Sequence, residues 1–141
     1  MSQVYIPVAM RRLVIDRAKD KCEYCLIHQG DVPFSHQIEH PIPLKHNGPP
    51  FVSENLALAC LECNRYKGSD IATFDPMDGE LTPLFNPRKH SWSEHFLLEN
   101  AQIVGQTRIG RATVNLLRMN DSKRILQRQL LIKLDRYPPT K

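Results

Sequence analysis

The chain contains no apolar run approaching the roughly 20 residues of a membrane-spanning helix, which excludes a helical membrane protein. Its first segment, MSQVYIPVAMRRLVIDR, lacks the apolar stretch and small-residue cleavage site of a secretory leader. Together these absences predict a cytoplasmic protein. Aromatic residues are scarce at 7%, with one tryptophan, and 11 prolines outnumber 6 glycines, so the reading is a loop-rich protein with a modest core. Internal repeats and low-complexity segments are missing, and 141 residues fit one domain with an extension. Acidic residues are thin towards the C-terminus. Residues 88–141 hold 11 Lys/Arg against 4 Asp/Glu, whereas residues 1–87 hold 8 against 11. The halves therefore differ as +7 and −3, which fits a polyanionic partner such as nucleic acid and equally a solvated basic surface.

Cysteine is present only four times, as Cys22-Glu-Tyr-Cys25 and Cys60-Leu-Glu-Cys63. In a reducing compartment such pairs bind metal more readily than they form disulfides. Two residues between thiolates let both face one ion, and two such knuckles complete the tetrahedral sulfur site of a structural zinc. A redox-active CxxC is disfavoured by the matched second pair and by the lack of a βαβ pattern. The 34 residues between Cys25 and Cys60 exceed the spacing of a simple zinc ribbon, so the ion clasps the ends of an inserted unit. A four-thiolate site has no open coordination position, which assigns this zinc to folding and places any catalysis in the insert.

Along the chain, Pro7 with Val8, Leu13, Val14 and Ala18 predicts a helix ending before Lys21. FSHQIEH is a strand candidate, and Pro41, Pro43 and NGPP exclude a long helix from the segment after it. SENLALACLECNRYKG reads as a helical run from Ser53 to Gly68 with a break near Cys60. HFLLENAQIVGQT predicts a hairpin turning at Glu99-Asn100. RATVNLLRM, after Gly110, and SKRILQRQLLIKL, capped by Asp121 or Ser122, predict two final helices. In the last of these Leu126, Leu130 and Leu134 recur every fourth residue, with Arg124 and Arg128 roughly opposite. Trp92 is read as a core anchor; His28, His46, His90 and His95 are read as structural or exposed.

The order Cys22/Cys25, Glu39-His40, Ile42-Pro43, Asn55, Cys60/Cys63, Asn64 and Lys67 resembles the HNH endonucleases over roughly residues 20–68. LFNPRKHSWSEHF and GRATVNLLRMN also resemble a C-terminal extension found in a bacterial subgroup of that family. The resemblance implies an α+β fold, a zinc-clasped ββα-metal core with a C-terminal β-hairpin and helical extension. Residues 1–70 would form the N-terminal helix and nuclease core, and residues 71–141 a basic extension packed on it as one compact domain. It further implies that His40 is the general base, that Glu39 and Asn64 ligate a divalent ion (Mg, Mn or another), and that Asn55 braces the loop and orients His40. The implied reaction is hydrolysis of nucleic-acid phosphodiesters, most naturally of DNA, leaving 5′-phosphate and 3′-hydroxyl ends. Glu39 stands where the family usually has aspartate.

Elementary chemistry agrees with these roles. Imidazole titrates at about pH 6.5, so near neutrality it accepts a proton from water without a large shift. A hard cation on one carboxylate and one amide oxygen keeps positions for water and phosphate. His36 shares a strand face with Ile38 and His40 and is read as a phosphate contact or a plain strand residue, secondarily a third ligand. Arg65 and Lys67 flank Asn64 and suit phosphate contacts, and Arg108, Arg111, Arg118, Arg124 and Arg128 together form a possible nucleic-acid face. Two readings from other classes are a catalytically silent zinc-stabilised nucleic-acid-binding module and a protein-interaction module meeting an acidic partner.

Overall fold

The computed structural model describes residues 5–139. Helix α1 (Val8–Ala18) starts directly after Pro7, whose φ of −56° suits the N-cap, and stops at Lys19, which turns left-handed at φ 56°. It buries Val14 and Ala18 against Leu56 and Leu58, with Met10 and Ile15 partly covered. Val8 and Leu13 are exposed, so the buried stripe is rotated from the predicted one.

Strands β1 (Gln37–Glu39) and β2 (Ala57–Ala59) pair antiparallel, Gln37 opposite Ala59 and Glu39 opposite Ala57. Helix α2 (Leu61–Lys67) follows at once, with Cys60 at its N-cap. The chain between Ser53 and Cys60 is therefore not helical as predicted: Ser53–Asn55 form one 3-10 turn and Ala57–Ala59 a strand. Tertiary context overrides the helix propensity of alanine and leucine here. Each residue of β2 is buried, which erases the polar alternation that marks a strand. The backbone of Leu58 is satisfied by the first knuckle: Glu23 donates its N–H to the Leu58 carbonyl at 2.8 Å, and its carboxylate accepts the Leu58 N–H at 2.9 Å. Glu23 thus stands in for a third strand.

The remaining elements are two hairpins and three helices. Strands β3 (Ala72–Phe74) and β4 (Leu81–Pro83) form one hairpin. Single-turn α3 (Trp92–His95) leads into β5 (Phe96–Glu99), which pairs with β6 (Gln102–Gly105) across a turn at Asn100-Ala101, one residue later than predicted, Glu99 pairing with Gln102 and Asn100 being left-handed at φ 56°. Helix α4 (Arg108–Leu116) is capped by Thr107, whose hydroxyl accepts from the Gly110 amide, so Gly110 lies inside the helix and not before it. A Cβ on Gly110 would stand 2.0 Å from the His95 carbonyl, and glycine there lets α4 press onto the hairpin.

Helix α5 (Ser122–Lys133) inverts the expected arrangement. Leu126, Leu130 and Leu134 are 54%, 53% and 66% exposed, whereas Arg124 and Arg128 are 7% and 2% exposed. The arginines reach inward because carbonyls and sulfur await them there, as described below. The main core joins Cys22, Tyr24, Cys25, Cys60 and Cys63 to Phe85, Phe96, Ile103, Leu117, Met119 and Tyr137.

Arg111 of α4 grips Asp75 through two parallel bonds, Nε to Oδ1 at 3.0 Å and Nη2 to Oδ2 at 2.6 Å, tying the helix to the end of β3. The hydrogen bond from Arg111 holds the Asp75 carboxyl down at about 2, below the ordinary carboxylate value. Arg108 pairs with Asp78 on the surface. Asp75→Asn is expected to lower the melting temperature at pH 7 by several degrees, whereas Asp78→Asn leaves it within error, since exposed pairs are worth little; paired thermal melts check this.

Candidate active site

The two knuckles meet in the core. The ligand atoms of Cys22, Cys25, Cys60 and Cys63 all lie within 4.8 Å of one another, and all four residues are buried. The Cys25 and Cys60 sulfurs are 3.7 Å apart, close to the roughly 3.8 Å edge of a tetrahedron with zinc–sulfur bonds of about 2.3 Å. Backbone amides of Cys25 and Cys63 point at the sulfurs of Cys22 and Cys60, at 3.4 and 3.5 Å. Burial pushes the Cys22 and Cys63 thiols up, while hydrogen bonds from the other three sulfurs pull Cys25 down, so full deprotonation of the set calls for a cation among them. The four cysteines are positioned to bind zinc.

Between the knuckles, residues 40–50 wrap around one side chain. Asn55 accepts the Ile42 N–H at 2.9 Å and donates to the carbonyls of Ile42 at 2.8 Å and Pro49 at 3.0 Å. A Cβ on Gly48 would lie 1.7 Å from the Ile42 carbonyl oxygen and 2.9 Å from Asn55 Nδ2, so only glycine lets the loop close on the amide. The next carbonyl, that of Pro50, is 3.1 Å from His40 Nε2. A carbonyl only accepts, so Nε2 carries the proton and Nδ1 keeps its lone pair. His40 is half-buried, and this fixes both its ring and its tautomer.

One face of α2 lies along β1, helix positions three apart meeting strand positions two apart. Asn64 donates through Nδ2 to Gln37, and Lys67 pairs with Glu39 at 3.0 Å. Lys67 is 1% exposed and also reaches the carbonyls of Pro41 at 3.2 Å and His40 at 3.4 Å, so its three protons meet three oxygens. The other oxygen of Glu39 accepts from the Tyr24 hydroxyl. Burial and the Glu39 charge push the Tyr24 phenol up, which keeps it a donor. Glu39 is 5% exposed, and both its oxygens are engaged, one by an ammonium. To ligate a divalent ion, Glu39 would have to give up one of these two partners, Lys67 or Tyr24.

Several other predicted site residues are also relocated. Lys67 is an internal cation and not a phosphate contact. Arg128 donates to the carbonyls of Ala101 at 2.6 Å and Met119 at 2.7 Å, and Arg124 to those of Leu117 at 2.7 Å and Arg118 at 3.3 Å. Both are buried and leave the expected nucleic-acid face. Arg108 is exposed but paired with Asp78, Arg111 is committed to Asp75, and Arg118 stacks over Tyr66 at 4.8 Å. Arg65 is exposed. His36 faces the first knuckle, its Nε2 3.0 Å from the Ile27 carbonyl and its amide bonded to Gln29, with Nδ1 buried and unpartnered.

Sequence reasoning missed Tyr24 and Gln37, which hold Glu39 and Asn64, because both partnerships cross long separations without a local pattern. It also missed the C-terminal supports of the first knuckle. Trp92 Nε1 donates to the Tyr24 carbonyl at 2.8 Å, and the Tyr137 hydroxyl to the Cys25 carbonyl at 2.7 Å.

The comparisons with known proteins bear on the segment that holds this clasped ββα unit. Residues 22–70 match the HNH endonuclease family. The matched segment thus runs from the first knuckle to just past α2. Over 130 residues, 91% of this chain, the protein is 28% identical to the Septu protein PtuB of Bacillus thuringiensis. The chain spans about half the length of that relative, the match covering 46% of it. No solved structure matches significantly. No helix among the described residues is long and apolar enough to cross a membrane.

Lys67→Met strands a buried carboxylate and is expected to destabilise the protein by about 3–5 kcal/mol, with most of the loss recovered in the Lys67→Met/Glu39→Gln double variant; urea unfolding of the four proteins measures both effects. Gly48→Ala is expected to disorder the loop, seen as loss of amide-exchange protection at Ile42 while the zinc content stays unchanged.

Proposed function

We propose that the protein is an HNH endonuclease that hydrolyses phosphodiester bonds of nucleic acid, DNA being the favoured substrate. The match over residues 22–70 and the kinship with PtuB support a nuclease-type activity. The observation that carries the rest is the pose of His40: Nε2 is tied to the Pro50 carbonyl, and the loop bearing that carbonyl is clamped by Asn55. His40 Nδ1 takes a proton from water, and the resulting hydroxide attacks phosphorus as the bond to the 3′-oxygen breaks. That oxygen takes a proton from solvent while His40 returns its own to solvent, giving 5′-phosphate and 3′-hydroxyl ends. Asn55 acts through the loop and does not touch substrate. Arg65 on α2, Arg118 just after α4 and, once released from Asp78, Arg108 at the start of α4 are exposed and supply phosphate contacts that weaken with salt. The partner is nucleic acid, and the site of action is the cytoplasm.

A second reading draws on the internal satisfaction of Glu39: the chain has kept a zinc-stabilised fold for binding nucleic acid without cutting it.

Plasmid nicking in the presence of Mg²⁺ or Mn²⁺ separates the two. The wild type is expected to nick, and His40→Ala to lose roughly 10²- to 10⁴-fold in rate while retaining DNA binding. Retention of DNA by a wild type that never cleaves under any divalent ion would transfer the conclusion to the second reading.

A further inference from the structure

The zinc centre is buried and charged. Four thiolates around one divalent ion leave a net charge of −2, and Cys22 and Cys63 are fully shielded from solvent. A buried charge of that size needs a partner at hand. Arg124 Nη2 lies 3.0 Å from the Cys63 sulfur and 3.8 Å from that of Cys60. Its other terminal nitrogen holds the carbonyls of Leu117 and Arg118, just past α4, so one guanidinium bridges the second knuckle and the junction between α4 and α5. Arg128, one turn on, is buried, has no carboxylate partner among the described residues, donates to carbonyl and amide oxygens and lies over the Tyr137 ring at 6.0 Å. The two arginines bring +2 into the same core, which balances the zinc–thiolate charge.

We propose that Arg124 is the positioning residue of the zinc centre: its N–H groups bond the thiolates of the second knuckle, and its charge, with that of Arg128, makes docking of α5 and retention of zinc one event. The inference rests on the four-cysteine zinc site. Hydrogen bonds to a ligating sulfur draw electron density from the metal–sulfur bond and orient the ligand. Asn64 follows Cys63 directly and Lys67 lies one turn later, so α5 reaches the HNH core through the metal.

The test uses the full chain. Zinc release from purified protein is followed with a chromophoric chelator, and the cobalt-substituted protein is examined by absorption. Arg124→Met is expected to release zinc roughly ten- to hundredfold faster and to shift the sulfur-to-cobalt charge-transfer band. Arg124→Lys, which keeps the charge and loses the fork, is expected to restore part of the retention but not the band position. Arg128→Met removes charge without touching sulfur and is expected to leave the band in place. An unshifted band and wild-type release in Arg124→Met overturn the proposal; should that variant fail to fold, an unshifted band in Arg124→Lys does so. A wild type that holds no zinc would instead refute the clasp itself.

Discussion

Everything in this protein hangs on closing a loop whose two ends are made of sulfur. The 34 residues between Cys25 and Cys60 carry the proposed chemistry, but only short strands and single turns stiffen them. Bringing their ends together costs chain entropy that so little secondary structure cannot return. A metal held by both ends offsets that cost, and binding free energy becomes folding free energy. The Glu23–Leu58 bonds then set the first knuckle against the strand that enters the second. From there β2 fixes β1, α2 leaves Cys60 in a set direction, and Asn64 and Lys67 arrive over Gln37 and Glu39.

Within that frame, holding the loop and the proposed reaction fall to different residues. Asn55, Gly48 and Lys67 shape the loop through backbone carbonyls, and none of them needs to meet a substrate. Lys67 in particular gathers the Glu39 carboxylate and the carbonyls of His40 and Pro41, so the turn after β1 folds around a buried ammonium. His40 is left with one nitrogen tied and one free. Its orientation thereby depends on Asn55, 15 positions later in the sequence.

The legible part of this architecture was the part written in local spacing. Two CxxC pairs gave the clasp, the segment HFLLENAQIVGQT the hairpin to within one residue of its turn, Pro7 the start of α1, and the order of Glu39, His40, Asn55 and Asn64 the resemblance to HNH endonucleases. What stayed hidden was set by partners far away in sequence. Ala57–Ala59 looked helical because a strand buried on all sides loses its alternation. Leu126, Leu130 and Leu134 looked like an inner face because leucine usually is one, but α5 turns two arginines inward to meet sulfur and unpaired carbonyls. Lys67 looked like a phosphate contact because nothing local reveals that Glu39, 28 residues earlier, claims it.

The treatment of β2 also bears on how the chain keeps to itself. A two-stranded sheet would ordinarily present a bare row of amides and carbonyls along its outer side, a template on which another chain can align and nucleate aggregates. Here that border is occupied. Glu23 takes both backbone groups of Leu58, and the guanidinium groups of Arg17 and Arg88 both reach the Leu56 carbonyl, at 2.7 and 3.3 Å. The most apolar strand of the clasped unit is thereby sealed by charged residues from α1, the first knuckle and the loop after β4, and the same residues that assemble the core deny its edge to intruders.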